Sequence, residues 1–256
     1  MRSINSAILK WMNVIAFIFT VLVNSLAGST TIIGGQNTAQ ISDNNPTLIT
    51  PAGYVFSIWG IIYFLLGVFV VFQALPSEKG KDYQKRIGLL FILGSLFNIV
   101  WLFLWQYELL TFSVVLMFLL LATLMTIYMR LEIGKSSVSL RERMAVHLPF
   151  SVYLGWITIA AIENVAVTLV SVDWGGLGLV LDTWATLIMI IAILIAVFVT
   201  ATRRDLAYGL VIIWALVGII VKQSNNQKIV LTGQLGAIIM AITVIATVIF
   251  PRLKRQ

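Results

Sequence analysis

A single carboxyl deep inside an apolar stretch is the group in this sequence best suited to chemistry. Glu163 lies in HLPFSVYLGWITIAAIENVAVTLVS (147–171), and no Lys or Arg sits at a comparable depth in any apolar stretch to pair with it. If the stretch crosses a bilayer, a carboxyl there costs about 3 kcal/mol, so it needs a function or a partner. The functional interpretations are proton coupling, a hydrogen bond to a ligand, or polarity facing a cavity. The structural alternative is a carboxyl hydrogen-bonded to Asn98, Asn164 or a backbone carbonyl.

This carboxyl shares a helical face with aromatic and small residues. The stripe carries Tyr153, Trp156, Ala160, Glu163 and Asn164. A second such face occurs in FNIVWLFLW (97–105), where Asn98, Trp101 and Trp105 follow at i, i+3 and i+7. An Asn in such a place commonly hydrogen-bonds a neighbouring helix, which contributes about 1 kcal/mol or less. Asn98 is therefore open to a purely structural interpretation.

A third aromatic face follows a proline in TPAGYVFSIWGIIY (50–63). By i, i+3 and i+4 spacing this face carries Phe56, Trp59, Gly60, Tyr63 and Gly67. Trp and Tyr are enriched where helices meet the membrane interface, which accounts for Tyr54 near the start of the run. It accounts less well for Tyr63, about 18 Å into the run at 1.5 Å per residue. Close helix packing and the lining of a binding site are equally open interpretations of this face.

These faces belong to a chain that is too apolar for a soluble domain. Its 256 residues are 60% hydrophobic and 11% charged, with a mean hydropathy of +1.00, against about 45–50% and about 25% in globular proteins. A helix needs about 20 apolar residues to cross a bilayer. The sequence therefore predicts an all-α, polytopic transmembrane helix bundle. Its eight apolar stretches are about 8–28, 52–74, 87–106, 109–129, 147–170, 178–201, 206–221 and 229–250.

The basic residues predict the orientation of these helices. With a cytoplasmic N-terminus, all 17 Lys and Arg residues except Lys222 and Lys228 fall in segments predicted to lie inside. We therefore expect eight spans in the cell membrane, with both termini cytoplasmic. The net charge of +7 then reflects orientation and contact with anionic membrane lipids, and it does not indicate nucleic-acid binding. We expect the first helix (8–28) to be retained, with a cleaved signal peptide as the alternative.

The sequence contains no familiar motif for a metal or a cofactor. It has no cysteine and one histidine, His147, at the cytoplasmic edge of the fifth helix. Phosphate-binding, zinc-protease, nucleophile-elbow and dinucleotide motifs are missing. We expect no metal, no cofactor and a single integral membrane domain over 1–256. The segment 29–48, between the first two helices, lacks Lys and Arg and is long enough to act as an external lid.

Three different motifs occur in order, one each on the second, third and fifth predicted helices. They match, at some of their positions, the patterns P-x-G-W-x-F-x-P-x-W-T-x-L-Y, L-N-x-x-W and P-Y-L-x-W-x-x-x-A-x-x-L-N. Matching positions are Pro51, Gly53, Tyr54, Phe56, Trp59, Tyr63, Phe97, Asn98, Trp101, Tyr153, Leu154, Trp156, Ala160 and Asn164. In these motifs the chain resembles the tryptophan-rich sensory protein/translocator protein (TspO/MBR) family, whose members have five helices. It departs from that family in three further helices (178–250), in Glu163 where Leu is usual, and in one residue missing between Phe56 and Trp59.

The resemblance implies a five-helix bundle over 8–170, with a pocket that the first loop closes. Such pockets bind flat hydrophobic molecules, usually tetrapyrroles (porphyrins and haem), with sterols in mitochondrial relatives. Homodimers are common in the family. Carried over by position, the ligand-binding residues are Trp59, Tyr63, Asn98, Trp101, Trp156 and Asn164. The faces described above add Phe56, Ala160 and Glu163 to this expected set.

Three functions are open at this point. The leading hypothesis is a membrane sensor or regulator that binds a tetrapyrrole or a lipid and has no enzymatic activity. The alternative is a small-solute or proton-coupled secondary transporter that uses Glu163, although the sequence shows no inverted repeat and no pair of interrupted helices. A third possibility, an intramembrane enzyme with Glu163 as acid or base, depends on that carboxyl alone.

Overall fold

The protein is built from helices. The structure, a computed structural model, describes residues 6–253, and these form helices and connecting segments without a β-strand. The helices are α1 (Ser6–Ser29), α2 (Thr38–Asn44), α3 (Ile58–Ala74), α4 (Asp82–Ile87), α5 (Leu90–Gln106), α6 (Leu110–Arg130), α7 (Leu140–Glu142), α8 (Leu148–Ser171), α9 (Leu181–Arg203), α10 (Leu206–Lys222) and α11 (Gln227–Leu253). A 3-10 turn, Gly53–Ser57, leads directly into α3.

Eight of these helices are the long apolar ones. Six of them have the length and composition of membrane-crossing helices: α1, α6, α9, α11, α3 together with its preceding 3-10 turn (Gly53–Ala74), and α8 together with the helical residues before it (Leu140–Ser171). The apolar helices α5 and α10 are shorter at 17 residues each, or about 25 Å at 1.5 Å per residue. Each long helix coincides with one of the eight predicted apolar stretches, which confirms the predicted all-α polytopic architecture. The short helices α2, α4 and α7 were not predicted, because they lie within polar connections.

A proline explains the irregular start of α8. The helical path is continuous over Leu140–Ser171, but Arg143–His147 forms a π-helical turn. Pro149 has no N–H to donate to the carbonyl of Ala145, four residues earlier, and its ring crowds that carbonyl. The backbone widens at this point, as it does at other π-bulges within α-helices.

The described residues form two compact units. The first consists of the residues through Ile41 and of Trp59–Leu154, and the second of Ser42–Ile58 and of the residues from Gly155 onward. The chain therefore passes from one unit to the other three times. That interleaving fits one continuous domain better than two consecutive ones, and the single-domain organisation stays a prediction.

Polar and aromatic contacts join the helices of the first unit. Asn13 Nδ2 on α1 donates a 3.0 Å hydrogen bond to Gln73 Oε1 on α3, and both side chains are buried. Hydrogen bonds of this kind help transmembrane helices to associate, because lipid tails offer no competing partner. Further packing comes from Phe69 of α3, whose ring centroid lies 5.3 Å from that of Phe91 and 5.1 Å from that of Phe150.

Small residues allow close packing in the second unit. The consecutive helices α9, α10 and α11 pack against one another, with Ala196 and Ala215 completely buried. The segment before α3 lies on α10, where Ala52 N donates a 3.0 Å hydrogen bond to the Gly218 carbonyl. A Cβ atom at Gly218 would overlap Val55 Cγ2, so only glycine permits this approach.

Candidate functional site

Five aromatic rings form a cluster in the first unit. Trp59 lies nearly parallel to Tyr63, one turn further along α3, with ring centroids 5.7 Å apart and planes at 17°. It also stacks on Trp101 of α5 at 6.2 Å and 27°, while Tyr153 meets it edge-on at 6.1 Å. Trp105 extends the cluster, 5.8 Å from Trp101. Two aromatic faces that the sequence predicted separately, on α3 and α5, therefore meet in this cluster.

A buried amide lies beside the ring cluster. Asn98 is fully buried, and its Oδ1 accepts a 2.6 Å hydrogen bond from Asn24 Nδ2 on α1, as the structural interpretation of this residue predicted. Its side chain also interacts electrostatically with the hydroxyls of Tyr63 and Tyr153. Within residues 6–253, however, Asn98 Nδ2 and the Tyr63 hydroxyl have no hydrogen-bond partner of good geometry. A buried polar atom without a partner costs about 1–3 kcal/mol, so both atoms favour a ligand that bonds to them.

A small cavity lies beside Tyr153 of this cluster. This cavity of about 10 Å³, lined by Tyr153, Ser95 and Gly94 among others, is at the lower limit for one water molecule. The Trp59 and Trp101 ring centroids are 6.2 Å apart. A planar molecule in van der Waals contact with both rings needs about 7 Å. Because the ring planes are no further apart than the centroids, a planar ligand enters this stack only if the two rings separate by at least about 1 Å.

Gln106, at the end of α5, holds the first part of the first loop. Its Nε2 lies 3.2 Å from the Ala27 carbonyl oxygen, 3.3 Å from that of Ile33 and 2.8 Å from that of Gln36. One buried side-chain amide thus lies within hydrogen-bond distance of three backbone carbonyls of this segment. Sequence reasoning missed Gln106, and the only available signal was a polar residue at the end of an apolar run.

The predicted residues of the second unit lie on α8 and in the turn before α3. Phe56 meets Trp156 edge-on, with ring centroids 5.8 Å apart and planes at 84°. Trp156 is 1% exposed, and Ala160 and Asn164 on the same helix are also buried. Trp156, Ala160 and Asn164 are therefore part of the packed interior of this unit, and the half-buried Phe56 contacts it through Trp156.

Glu163 has a partner that the sequence did not reveal. Its side chain is buried, and Oε1 accepts a 2.9 Å hydrogen bond from Ser42 Oγ on α2. Next to Ser42, Asp43 Oδ1 forms a 2.7 Å ion pair with Lys222 Nζ at the end of α10. A partner in the first loop was not among those considered from the sequence, because a serine in a polar loop carries no sign of where it packs.

A cavity of about 190 Å³ lies between α8 and α9 in the second unit. Trp174 and Trp184 form part of its wall, with ring centroids 5.1 Å apart. Trp184 Nε1 donates a 2.8 Å hydrogen bond to the Gly176 carbonyl, which fixes the indole. Most of the remaining wall is apolar. The sequence did not single out this pair, because the two tryptophans lie on either side of a helix connection and share no periodic pattern.

The possible metal ligands among the side chains that the structure describes are His, Asp and Glu residues. Within residues 6–253, no three His, Asp or Glu side chains come together as a metal site would require. The site residues thus consist of aromatic rings, amides, hydroxyls and one carboxyl, a composition suited to binding an organic molecule.

Comparison with known proteins places these features in a family. A family model described as TSPO-like protein matches residues 10–250. The match extends beyond the five-helix segment 8–170 that carries the motifs, and it includes the last three long helices. No curated protein and no solved structure matches the chain. Because the family model covers nearly the whole chain and the long apolar helices are those of a multi-pass membrane protein, the chain belongs to the TSPO-like family of integral membrane proteins.

Proposed function

We propose that this protein binds flat hydrophobic molecules of the tetrapyrrole class, porphyrins and haem, and acts as a sensor, as a regulator or in their transport. One observation carries the proposal: the Trp59 ring stacks on both Tyr63 and Trp101 beside the buried Asn98 amide. Membership of the TSPO-like family supports it, since flat hydrophobic ligands are what the resemblance implies.

Stacked rings favour a planar ligand for a physical reason. Offset stacking between aromatic rings contributes about 0.5–1.5 kcal/mol beyond the burial of their surface. A macrocycle that enters between Trp59 and Trp101 replaces one ring contact by two, which compensates for the separation of the rings. A flexible apolar ligand of equal volume gains no such contact. The cluster therefore selects for flatness as well as for hydrophobicity.

The unsatisfied polar atoms add a second criterion. The Tyr63 hydroxyl and Asn98 Nδ2 are both hydrogen-bond donors, and both are buried without a partner of good geometry among the described residues. A polar acceptor on the rim of the ligand, such as the carboxylate of a porphyrin, satisfies either atom. We therefore expect acidic porphyrins to bind more tightly than uncharged porphyrins of the same ring size.

The proposal also includes the expected site residues that lie in the second unit. Phe56, Trp156, Ala160 and Asn164 are proposed to contact ligand as the resemblance implies, and Glu163 to offer a hydrogen bond. The burial of the four that lie on α8 supports a role in positioning such contacts. Substitution of each one separately tests its contribution.

We also propose that the protein lies in the cell membrane with both termini in the cytoplasm. In this topology, successive connections between the long helices lie on alternate sides of the membrane. Contacts within each unit support that arrangement. In the first unit Arg86 Nη1 forms a 3.2 Å ion pair with Glu132, so two connections predicted to be cytoplasmic meet. In the second unit Gln223 Nε2 donates a 3.0 Å hydrogen bond to the Thr47 carbonyl, so two connections predicted to be external meet.

Titration of the purified protein with protoporphyrin IX tests the ligand proposal. The protein is reconstituted in lipid nanodiscs, and tryptophan fluorescence is recorded as the porphyrin is added, with empty nanodiscs containing free tryptophan as the reference. Saturable quenching with a defined stoichiometry is the expected result. Quenching that rises linearly, as it does in the reference, would rule out the proposed function.

A further inference from the structure

We propose that the groove between α8 and α9 is a second binding site, for small hydrophobic primary amines whose ammonium group pairs with Glu163. The site lies wholly within the second unit. This proposal goes beyond the tetrapyrrole function and does not depend on it, because it concerns a different ligand. Glu163 is the one residue to which both proposals assign a contact.

Two cavities follow one another along this groove. The larger one, about 190 Å³, is lined by Trp184 and Ile188 of α9. The smaller one, about 20 Å³, is lined by Ile188 again and by Glu163 of α8. Ile49 of the first loop lines both cavities. On α8, Ala166 of the larger cavity lies three residues after Glu163 and so on the same face, which places the two cavities next to each other along the helix.

The two volumes set the size of the ligand. An apolar cavity of about 150 Å³ holds a benzene molecule, so the larger cavity accommodates a single aromatic ring with a short chain. Drug-sized ligands occupy sites of about 300–1,000 Å³, so this cavity is small for a tetrapyrrole. The smaller cavity has room for a group of about the size of one water molecule. A primary ammonium meets that limit, whereas a trimethylammonium exceeds it.

The charged residues around Glu163 favour a ligand with a positively charged head group. Within residues 6–253, no basic side chain forms an ion pair with Glu163, and the only cation next to its loop partner, Lys222, is paired with Asp43. The two acids and one base of this cluster thus carry one net negative charge when ionised. A carboxylate has lone pairs to spare after the bond from Ser42, so it can accept from an ammonium as well. In a groove with mostly apolar walls, such a pair is stronger than it would be in water.

The tryptophan pair provides the other end of the site. Trp174 and Trp184 stand with their rings tilted by 57°, and the hydrogen bond to Gly176 holds the Trp184 indole in place. Rings so arranged contact an aromatic body both face-on and edge-on. The competing explanation is an interfacial tryptophan belt, which requires no saturable site and no dependence on Glu163.

Binding of tritiated 2-phenylethylamine to the full chain in nanodiscs tests the proposal. Propylbenzene, which carries a methyl group in place of the ammonium, serves as the competitor that differs only in charge. The variants are Glu163→Gln, which keeps the shape of the side chain, and Ala166→Leu, which fills the larger cavity and leaves the carboxyl. Glu108→Gln is the matched control, since this glutamate is exposed and lies in the first unit.

Saturable binding to the parent and to Glu108→Gln is expected, with at least tenfold weaker binding to Glu163→Gln and to Ala166→Leu. Propylbenzene should fail to compete despite its greater hydrophobicity. The proposal is overturned by an absence of saturable binding, by equal competition from propylbenzene, or by unchanged affinity in Glu163→Gln. If Glu163→Gln does not fold, the competition on the parent and the Ala166→Leu variant decide. Neither result requires that the parent protein bind protoporphyrin, so the two proposals fail separately although both assign a contact to Glu163.

Discussion

The hydroxyl of Ser42 and the carboxyl of Glu163 are 2.9 Å apart, although 121 residues separate them along the chain. The bond joins α2, in the first loop, to the middle of α8 within the second unit. It gives the deepest acid of the sequence a polar partner where lipid and apolar side chains offer none. The same part of the loop is held by the ion pair between Asp43 and Lys222.

Removal of this hydroxyl should destabilise the protein. Ser42→Ala leaves one carboxyl oxygen of Glu163 without its donor, and we expect a loss of about 1–3 kcal/mol in the free energy of unfolding. Unfolding with SDS, followed by circular dichroism, measures the change. Ser57→Ala, at an exposed serine of the same unit, is the control and should change it by less than about 0.5 kcal/mol. A Ser42→Ala protein as stable as this control would contradict the assigned role of the bond.

Glycine at position 218 should be required by the close approach of α10 to the turn before α3. Gly218→Ala introduces a Cβ that overlaps Val55 Cγ2, and we expect destabilisation of about 1–3 kcal/mol. Gly60→Ala is the matched control, because a Cβ at Gly60 in α3 meets no atom within 4 Å. That control should be neutral or stabilised by about 0.5–1 kcal/mol, as alanine favours a helix. The packing assignment fails if the two variants change stability equally.

The bond between Asn24 and Asn98 should be measurable as a coupling between α1 and α5. In a double-mutant cycle with Asn24→Leu and Asn98→Leu, we expect a coupling free energy of about 0.5–1.5 kcal/mol. Chemical denaturation of the parent, the two single variants and the double variant provides the four values required. Additive effects would show that the two amides do not interact in the folded protein.

Much of the fold could be predicted because its signals are local. A run of about 20 apolar residues defines a membrane helix such as α6 without reference to any neighbour. The spacing of Trp59 and Tyr63 predicted their common face for the same reason. The π-turn before Pro149 has a local cause as well, although it was not foreseen.

The rest could not be predicted because it depends on partners that are distant in the chain. Gln106 bonds backbone carbonyls, and a carbonyl has no sequence signature. Ser42 is one of several serines in polar segments, and nothing local indicates which one meets Glu163. Trp174 and Trp184 become a pair only through the turn between α8 and α9. The sequence patterns identified helices and faces, whereas the contacts between faces required the folded chain.

Single cysteines should reveal the orientation of the helices, since the chain has none of its own. Asn225→Cys, in the exposed turn before α11, should react with a membrane-impermeant maleimide added to intact cells. Ser137→Cys, in the exposed connection before α7, should react only after the cells are permeabilised. Labelling of Ser137→Cys in intact cells would reverse the proposed topology.

The stack of Trp59 on Trp101 is where the proposed function is most directly tested. The dissociation constant of protoporphyrin IX is measured from its Soret absorbance, a signal that does not depend on the number of tryptophans. Trp101→Leu should weaken binding about tenfold, because a loss of about 1.4 kcal/mol of stacking and burial corresponds to that factor. Trp214→Leu, at a tryptophan of the second unit that contacts Tyr54, should leave the constant unchanged. Equal dissociation constants for the parent and for a folded Trp101→Leu variant would contradict the proposal that this ring cluster binds the ligand.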